Sequence, residues 1–134
     1  MGVWGTRAFD NDEALDWVDS INVHGVSLIP QTLFKSEYSN YQKVAAIAIL
    51  AILKNPDLIE ELDYGGAIED SLQKFSVEQK EYLSKIDIGN VNVVIDTIID
   101  EETEKIHSWR EEKDGREWVN NIRSLKKQLE QGCF

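Results

Sequence analysis

The stretch that decides the fold of this chain is Val44-Ala45-Ala46-Ile47-Ala48-Ile49-Leu50-Ala51-Ile52-Leu53, in which every residue is apolar. A helix that is apolar on every side is stable only where other elements surround it. The stretch is too short to cross a bilayer, which takes about 20 residues in a helix. Ser39 or Asn40 is expected to cap the helix at its start, and Lys54-Asn55-Pro56 to end it. The sequence therefore predicts a central, fully enclosed helix.

An amphipathic helix is predicted ahead of this central helix. Asp10 is expected to be its N-cap, with Glu13 three residues later completing a relative of the capping box. Between residues 22 and 38, Gly25 and Pro30 interrupt the periodicity. Residues 26–29 are expected to be a short extended piece or a loop, with a helical turn after the proline. In the amphipathic helix after Asp10, apolar residues recur at the helical spacing i, i+3, i+4, i+7 in Ala14, Trp17, Val18 and Ile21.

Several shorter patterns follow the central helix. Asn55-Pro56 is expected to start a short helix that runs to about Leu62. Another helix is expected from Ser76, where Gln79 completes a capping box. Its side chains Tyr82 and Leu83 are expected to face inward, and a turn is expected over Asp87–Asn90.

The C-terminal third contains a choice between strand and helix. Val91, Ile95 and Ile98 are β-branched, yet they lie close together on a helical wheel with Ile106 and Trp109, which favours one helix from Val91 to about Glu112. Asp114-Gly115 is a turn signal. The last helix carries its apolar residues at helical spacing in Trp118, Ile122, Leu125 and Leu129.

These elements together predict an all-α protein. We expect residues 1–134 to form a single compact helical bundle of about five or six helices around the helix at 44–53. The single cysteine, Cys133, excludes an internal disulfide, and no basic N-terminal segment leads into an apolar run. Both observations favour a cytoplasmic protein.

The charge balance limits the classes of partner. The chain has 25 acidic and 14 basic residues, a formal net charge of −11. The excess is spread along the chain, because residues 1–67 contain 10 acidic and 4 basic residues and residues 68–134 contain 15 and 10. Such a protein is repelled by nucleic acid and by anionic membranes and attracts basic proteins. We expect a basic protein partner, with no nucleic acid and no membrane.

Two acidic faces and one tryptophan are the candidate partner-binding residues. Asp12, Asp16 and Asp19 share the side of the first helix opposite its apolar face. Asp100, Glu104, His107 and Glu111 share the outer side of the predicted long helix. Trp4 lies between glycines, outside any apolar helical face, so we add it to the candidates.

Catalytic and metal-binding patterns are weak. Glu104-x-x-His107 is the spacing found in di-iron bundles, but such sites need two copies projecting into a core, and the chain has one on an outer face. Cys133 lies at the chain end, far in sequence from both histidines, and no nucleophile-elbow or phosphate-loop motif occurs. We therefore predict no catalytic residue, no metal and no cofactor.

The opening of the chain carries a family resemblance. Gly2, Trp4, Gly5 and Phe9-Asp10-Asn11-Asp12 match the pattern M-G-x-W-G-x-x-x-F-D-N-D. In this respect the chain resembles a bacterial family of small proteins known as a domain of unknown function. The likeness is specific over about the first 17 residues, with a departure at Arg7-Ala8, where many relatives have Gly-Pro. The resemblance implies a helical, bacterial, cytoplasmic protein and brings no activity with it.

Three hypotheses of function follow. The leading one is an acidic protein-binding module, most concretely an immunity protein that neutralises a basic toxin domain. The second is a metal-dependent or acid–base enzyme that uses the same surface carboxylates. The third is a structural or regulatory module of a larger assembly.

Overall fold

The computed structural model describes residues 5–62 and 66–131, and in these ranges the chain is helical and contains no β-strand. The all-α prediction is thereby confirmed, but the expected count of five or six helices is too low, because the described residues form eight α-helices. Two 3-10 helices, Pro56–Leu58 and Ile106–Ser108, lie between them. The α-helices are α1 (Asp12–His24), α2 (Leu28–Phe34), α3 (Asn40–Lys54), α4 (Ile59–Leu62), α5 (Ala67–Gln73), α6 (Val77–Ser84), α7 (Ile88–Glu104) and α8 (Glu112–Gln131).

Helix α3 is the enclosed element that the apolar stretch predicts. Every residue from Val44 to Ile52 is buried, and α1, α2 and α8 all pack against it. The four alanines of this stretch let these neighbours approach closely. Of the two expected caps, Ser39 and Asn40, Ser39 caps the helix: its Oγ accepts a hydrogen bond from the Gln42 N–H, and the Gln42 side chain accepts one from the Ser39 N–H.

The start of α1 differs from the prediction, because Asn11 and not Asp10 is the N-cap. Asn11 Oδ1 accepts a hydrogen bond from the Ala14 N–H at 2.8 Å. Asp10 is buried and is bound instead by Arg7, whose Nε lies 3.0 Å from its Oδ2. The Arg7 guanidinium also donates to the Glu61 carbonyl at 2.8 Å, so Arg7 links the opening segment to α4.

Two helices were not expected from the sequence. Helix α2 occupies the middle of the segment 22–38, with Pro30 inside its first turn, where a missing N–H costs nothing. Its Thr32 hydroxyl accepts a hydrogen bond from the buried Trp17 indole N–H at 2.8 Å. Helix α5 follows Gly66, which has a φ of +83°. Both helices are seven residues long, too short to show a clear apolar period.

Two further predictions, for Tyr82 in α6 and for the start of α7, were wrong. Leu83 is fully buried as expected, but Tyr82 is 46% exposed and does not face inward. The expected turn over Asp87–Asn90 is instead the first turn of α7, because the Asp87 side chain accepts a hydrogen bond from the Gly89 N–H and acts as the N-cap.

The break between α7 and α8 lies earlier than predicted. Helix α7 ends at Glu104, the chain makes the 3-10 turn Ile106–Ser108, and α8 then runs straight through Asp114-Gly115. A Cβ atom on Gly115 would lie 2.8 Å from the Ile106 carbonyl oxygen and 2.9 Å from Trp109 Cδ1. Gly115 is therefore a close-packing position inside a helix, and the turn signal Asp114-Gly115 was misleading.

None of the helices in the described ranges has the length and apolar composition needed to cross a membrane.

Candidate partner-binding site

A polar cavity of about 610 Å³ opens beside the first turn of α3, and we call it the α3 cavity. One wall is the segment that leads into α3, and the other is the end of α7 with the 3-10 turn that follows it. The cavity is lined by Glu13, Ser36, Tyr38, Ser39, Asn40, Tyr41, Lys43, Thr97, Glu101, Glu102, Lys105, Ser108 and Trp109.

A buried carboxylate, Glu102, forms the inner wall of this cavity. Glu102 is only 6% exposed, and a carboxylate in that position needs donors to replace lost water. Its Oε1 accepts a hydrogen bond from the Trp118 indole N–H at 2.8 Å, and its Oε2 accepts one from Asn40 Nδ2 at 3.0 Å. The only ion pair of this carboxylate in the described part of the chain is with Lys105, at 3.8 Å.

Sequence reasoning missed Glu102 although the sequence contained a signal for it. The residue follows Ile95 by seven positions and Ile98 by four, so it lies on the apolar face of α7. An acidic residue on an apolar helical face is expected to be buried with partners. The partner Trp118 lies on another helix, which only the packing of α7 against α8 reveals.

Three aromatic rings lie next to the buried carboxylate. The Trp118 ring centre lies 5.3 Å from that of Tyr41 and 6.1 Å from that of Trp109, both in tilted arrangements. Trp118 is buried, while Tyr41 and Trp109 are partly exposed and line the cavity. Burial raises the pKa of the Tyr41 phenol, and the negative charges of Glu102 and Glu13 raise this pKa further. The cavity therefore has an aromatic floor in a negative electrostatic environment.

Helices α1 and α7 are both tied to the start of α3 at this point. Glu13 of α1 accepts a hydrogen bond from the Ser39 hydroxyl at 2.6 Å. Glu101 of α7 accepts a weaker one from Asn40 Nδ2 at 3.4 Å. Because Ser39 and Asn40 are adjacent, the first turn of α1 and the last turns of α7 converge at the same end of the molecule.

The structure places the acidic candidates of the sequence around this end. Asp12 and Asp16 lie within one helical turn of Glu13, and Asp100 and Glu104 lie within one turn of Glu101. Asp19 lies one turn further along α1. Five of the acidic candidates have exposed side chains and form no ion pair with any described residue. They are Asp12, Asp16, Asp19, Asp100 and Glu104.

The second acidic face is not the single helical face that was predicted. His107 belongs to the 3-10 turn, and Glu111 lies beyond it and pairs with Lys113 at 3.9 Å. Only Asp100 and Glu104 share α7, because the helix ends at Glu104. Trp4 lies outside the described residues.

No metal-ligand cluster forms in the described ranges 5–62 and 66–131. No three side chains of the types His, Cys, Asp and Glu come together there in positions to hold an ion. Glu104 and His107, which have the di-iron spacing, lie in different elements because the helix ends between them.

Comparison with known proteins identifies the family of this chain but no individual relative. A family model described as "Domain of unknown function (DUF4259)" matches residues 2–121. No curated protein and no solved structure matches the chain.

Proposed function

The chain belongs to the DUF4259 family of unknown function, and from that premise we propose that it is an acidic protein-binding module. In its most concrete form, it is an immunity protein that binds and neutralises a basic toxin domain. The observation that carries the proposal is the convergence of unpaired, exposed carboxylates from α1 and α7 at the start of α3.

The concentration of exposed carboxylates from two helices supports binding at this end. Exposed acids elsewhere on the described surface, such as Asp57 and Glu81, also form no ion pair, but they do not converge on a cavity. At the α3 end the unpaired acids of α1 and α7 lie close together, so their fields add in the solvent. A protein with complementary charge would be steered to this end, with association rates up to about 10⁸–10⁹ M⁻¹s⁻¹ at low salt.

The convergence also supplies the geometry that a binding surface needs. Charged rims surround a central pocket in many interfaces, and the pocket receives the side chain that contributes most to affinity. Here the exposed acids Asp12, Asp16, Asp100 and Glu104 lie within one helical turn of Glu13 or Glu101, which line the α3 cavity. Tyr41 and Trp109 also line this cavity. Aromatic residues in such a central position are typical of binding surfaces.

The first test is retention of a partner by the tagged protein from a lysate of its native cells. The retained protein is identified, produced recombinantly, and its association rate with the purified chain is measured as salt is raised. We expect one basic protein whose association rate falls about tenfold or more between low and high salt. Coexpression with the chain is expected to relieve the growth inhibition that this protein causes.

Charge-matched variants locate the surface. The site variant carries Asp12→Asn, Asp16→Asn, Asp100→Asn and Glu104→Gln. The control variant removes the same charge from exposed acids on other elements, by Asp57→Asn, Asp70→Asn, Glu78→Gln and Glu81→Gln. We expect the site variant alone to lose the fast association. Equal losses in the two variants, a rate independent of salt, or no basic protein retained would each contradict the proposal.

A further inference from the structure

We propose that the α3 cavity receives the guanidinium group of an arginine side chain presented by the partner protein. The inference rests on the proposed protein-binding function and adds the chemistry of its central contact. It is carried by the combination of an aromatic floor, a buried carboxylate and an excess of negative charge inside one cavity.

The charges that line the cavity favour binding of a cation. Three carboxylates line it, those of Glu13, Glu101 and Glu102, against two ammonium groups, those of Lys43 and Lys105. The lining therefore carries a net negative charge. The negative surroundings that contribute to the raised pKa of the Tyr41 phenol act in the same direction, since they favour a cation at this place.

Lys105 marks the position that the incoming cation occupies. Its Nζ lies 3.8 Å from Glu102 Oε2, beyond hydrogen-bond distance, and its side chain is 62% exposed. A cation held this loosely swings into solvent at small cost. The Glu102 carboxylate itself is fixed by Trp118 and Asn40, so it is a preorganised acceptor for a stronger ion pair.

The shape of the site favours arginine over lysine. A planar guanidinium stacks on aromatic faces and binds a carboxylate through two parallel N–H groups, whereas an ammonium does neither. The partly exposed rings of Tyr41 and Trp109 offer such faces, and the exposed carboxylate of Glu101 lies on the α7 side of the same cavity. No described residue donates a hydrogen bond to the Tyr41 hydroxyl, so this group is also available to the ligand.

The test is an NMR titration of the full chain with N-acetyl-arginine amide, observed through the side-chain indole signals. Trp109 and Trp118 report on the cavity, while Trp17, whose indole donates to Thr32, is the internal control. We expect the two cavity signals to move with a saturable curve and a Kd of about 1–10 mM, and the Trp17 signal to stay in place. N-acetyl-lysine amide at matched ionic strength is expected to bind at least about threefold more weakly.

Two variants separate a cavity contact from general attraction. Glu101→Gln removes an exposed carboxylate of the cavity and is expected to weaken binding of the arginine probe by about threefold or more. Glu81→Gln removes the same charge from an exposed position of α6, outside the cavity lining, and is expected to leave the Kd within about 1.5-fold, since salt screens distant surface charges. Indole signals that fail to saturate by about 50 mM probe, or that respond equally to lysine amide, would overturn the inference.

The outcome is distinguishable from failure of the proposed function. If a basic partner binds with salt dependence while the arginine probe leaves Trp109 and Trp118 unmoved, the binding function stands and the arginine contact is refuted. If the probe binds in the cavity and no basic protein is found, the contact stands and the function of neutralising a basic protein fails.

Discussion

Replacing Gly115 with alanine is expected to destabilise the protein, although the same change inside a helix is normally stabilising. Gly115 lies in the second turn of α8, where the 3-10 turn of Ile106–Ser108 crosses the helix. The new Cβ atom would lie 2.8 Å from the Ile106 carbonyl oxygen, 2.9 Å from Trp109 Cδ1 and 3.1 Å from Ile106 Cα. Two of the three contacts involve backbone atoms, so a side-chain rotation does not relieve them.

The magnitude follows from two opposing terms. Helix propensity favours alanine over glycine by about 1 kcal/mol. Overpacking costs about 1–3 kcal/mol, and contacts with backbone atoms place this site towards the upper end of that range. The free energy of unfolding is therefore expected to fall by about 1–2 kcal/mol. With an unfolding entropy of about 0.28 kcal/mol/K for 134 residues, the melting temperature falls by about 4–7 °C.

Thermal and urea denaturation followed by far-UV circular dichroism measure this change. Lys127→Ala, an exposed position of the same helix, is the control and is expected to stay within about 0.5 kcal/mol of the parent. The near-UV signal of the tryptophans is also expected to change in Gly115→Ala, because Trp109 must move. A melting temperature that is unchanged or higher in Gly115→Ala would refute the close packing of the 3-10 turn on α8.

The remaining predictions concern the site around α3. Ser39→Ala is expected to lower the free energy of unfolding by about 1–2 kcal/mol and Ser76→Ala by about 1 kcal/mol. Both serines cap a helix, but only Ser39 also donates a hydrogen bond to a glutamate on another helix. Equal losses of stability in urea denaturation would contradict this expectation. Glu102→Ala is expected to lower the free energy of unfolding by about 2–4 kcal/mol, since it leaves the buried Trp118 indole N–H unpaired. Glu102→Gln is expected to lower it less, because glutamine keeps an acceptor for this N–H. The reverse order of the two variants would be evidence against that hydrogen bond. The phenol of Tyr41 is expected to ionise above the usual tyrosine pKa of about 10 in absorbance titrations at alkaline pH. The contribution of this group to the free energy of unfolding is present below the usual pKa and is lost as pH rises through the raised pKa of the folded protein. A titration curve that is unchanged by Tyr41→Phe would disprove the assignment.

Local sequence signals were sufficient for the enclosed helix and for the cap of α6. The apolar run at 44–53 predicted the enclosed helix, because a helix without a polar side has no alternative to burial. The capping box at Ser76 formed as predicted, since it depends on residues only three positions apart. Ser39, one of the two expected caps of α3, forms a capping box with Gln42 that the sequence analysis did not predict. At Asp10 the local signal failed because the carboxylate pairs with Arg7, a cation outside the helix, and Asn11 caps α1 instead.

The site depended on contacts between distant parts of the chain. The sequence determined by itself that the protein is acidic and helical and that α1 and α7 carry exposed acids, because charge and periodicity are local properties. Only the tertiary structure decided that these acids converge at Ser39 and Asn40 and that Glu102 is buried against Trp118, because both depend on how α1, α7 and α8 pack around α3. The end of α7 before His107 was also decided by tertiary packing, because the 3-10 turn packs closely on α8 at Gly115, which has no side chain.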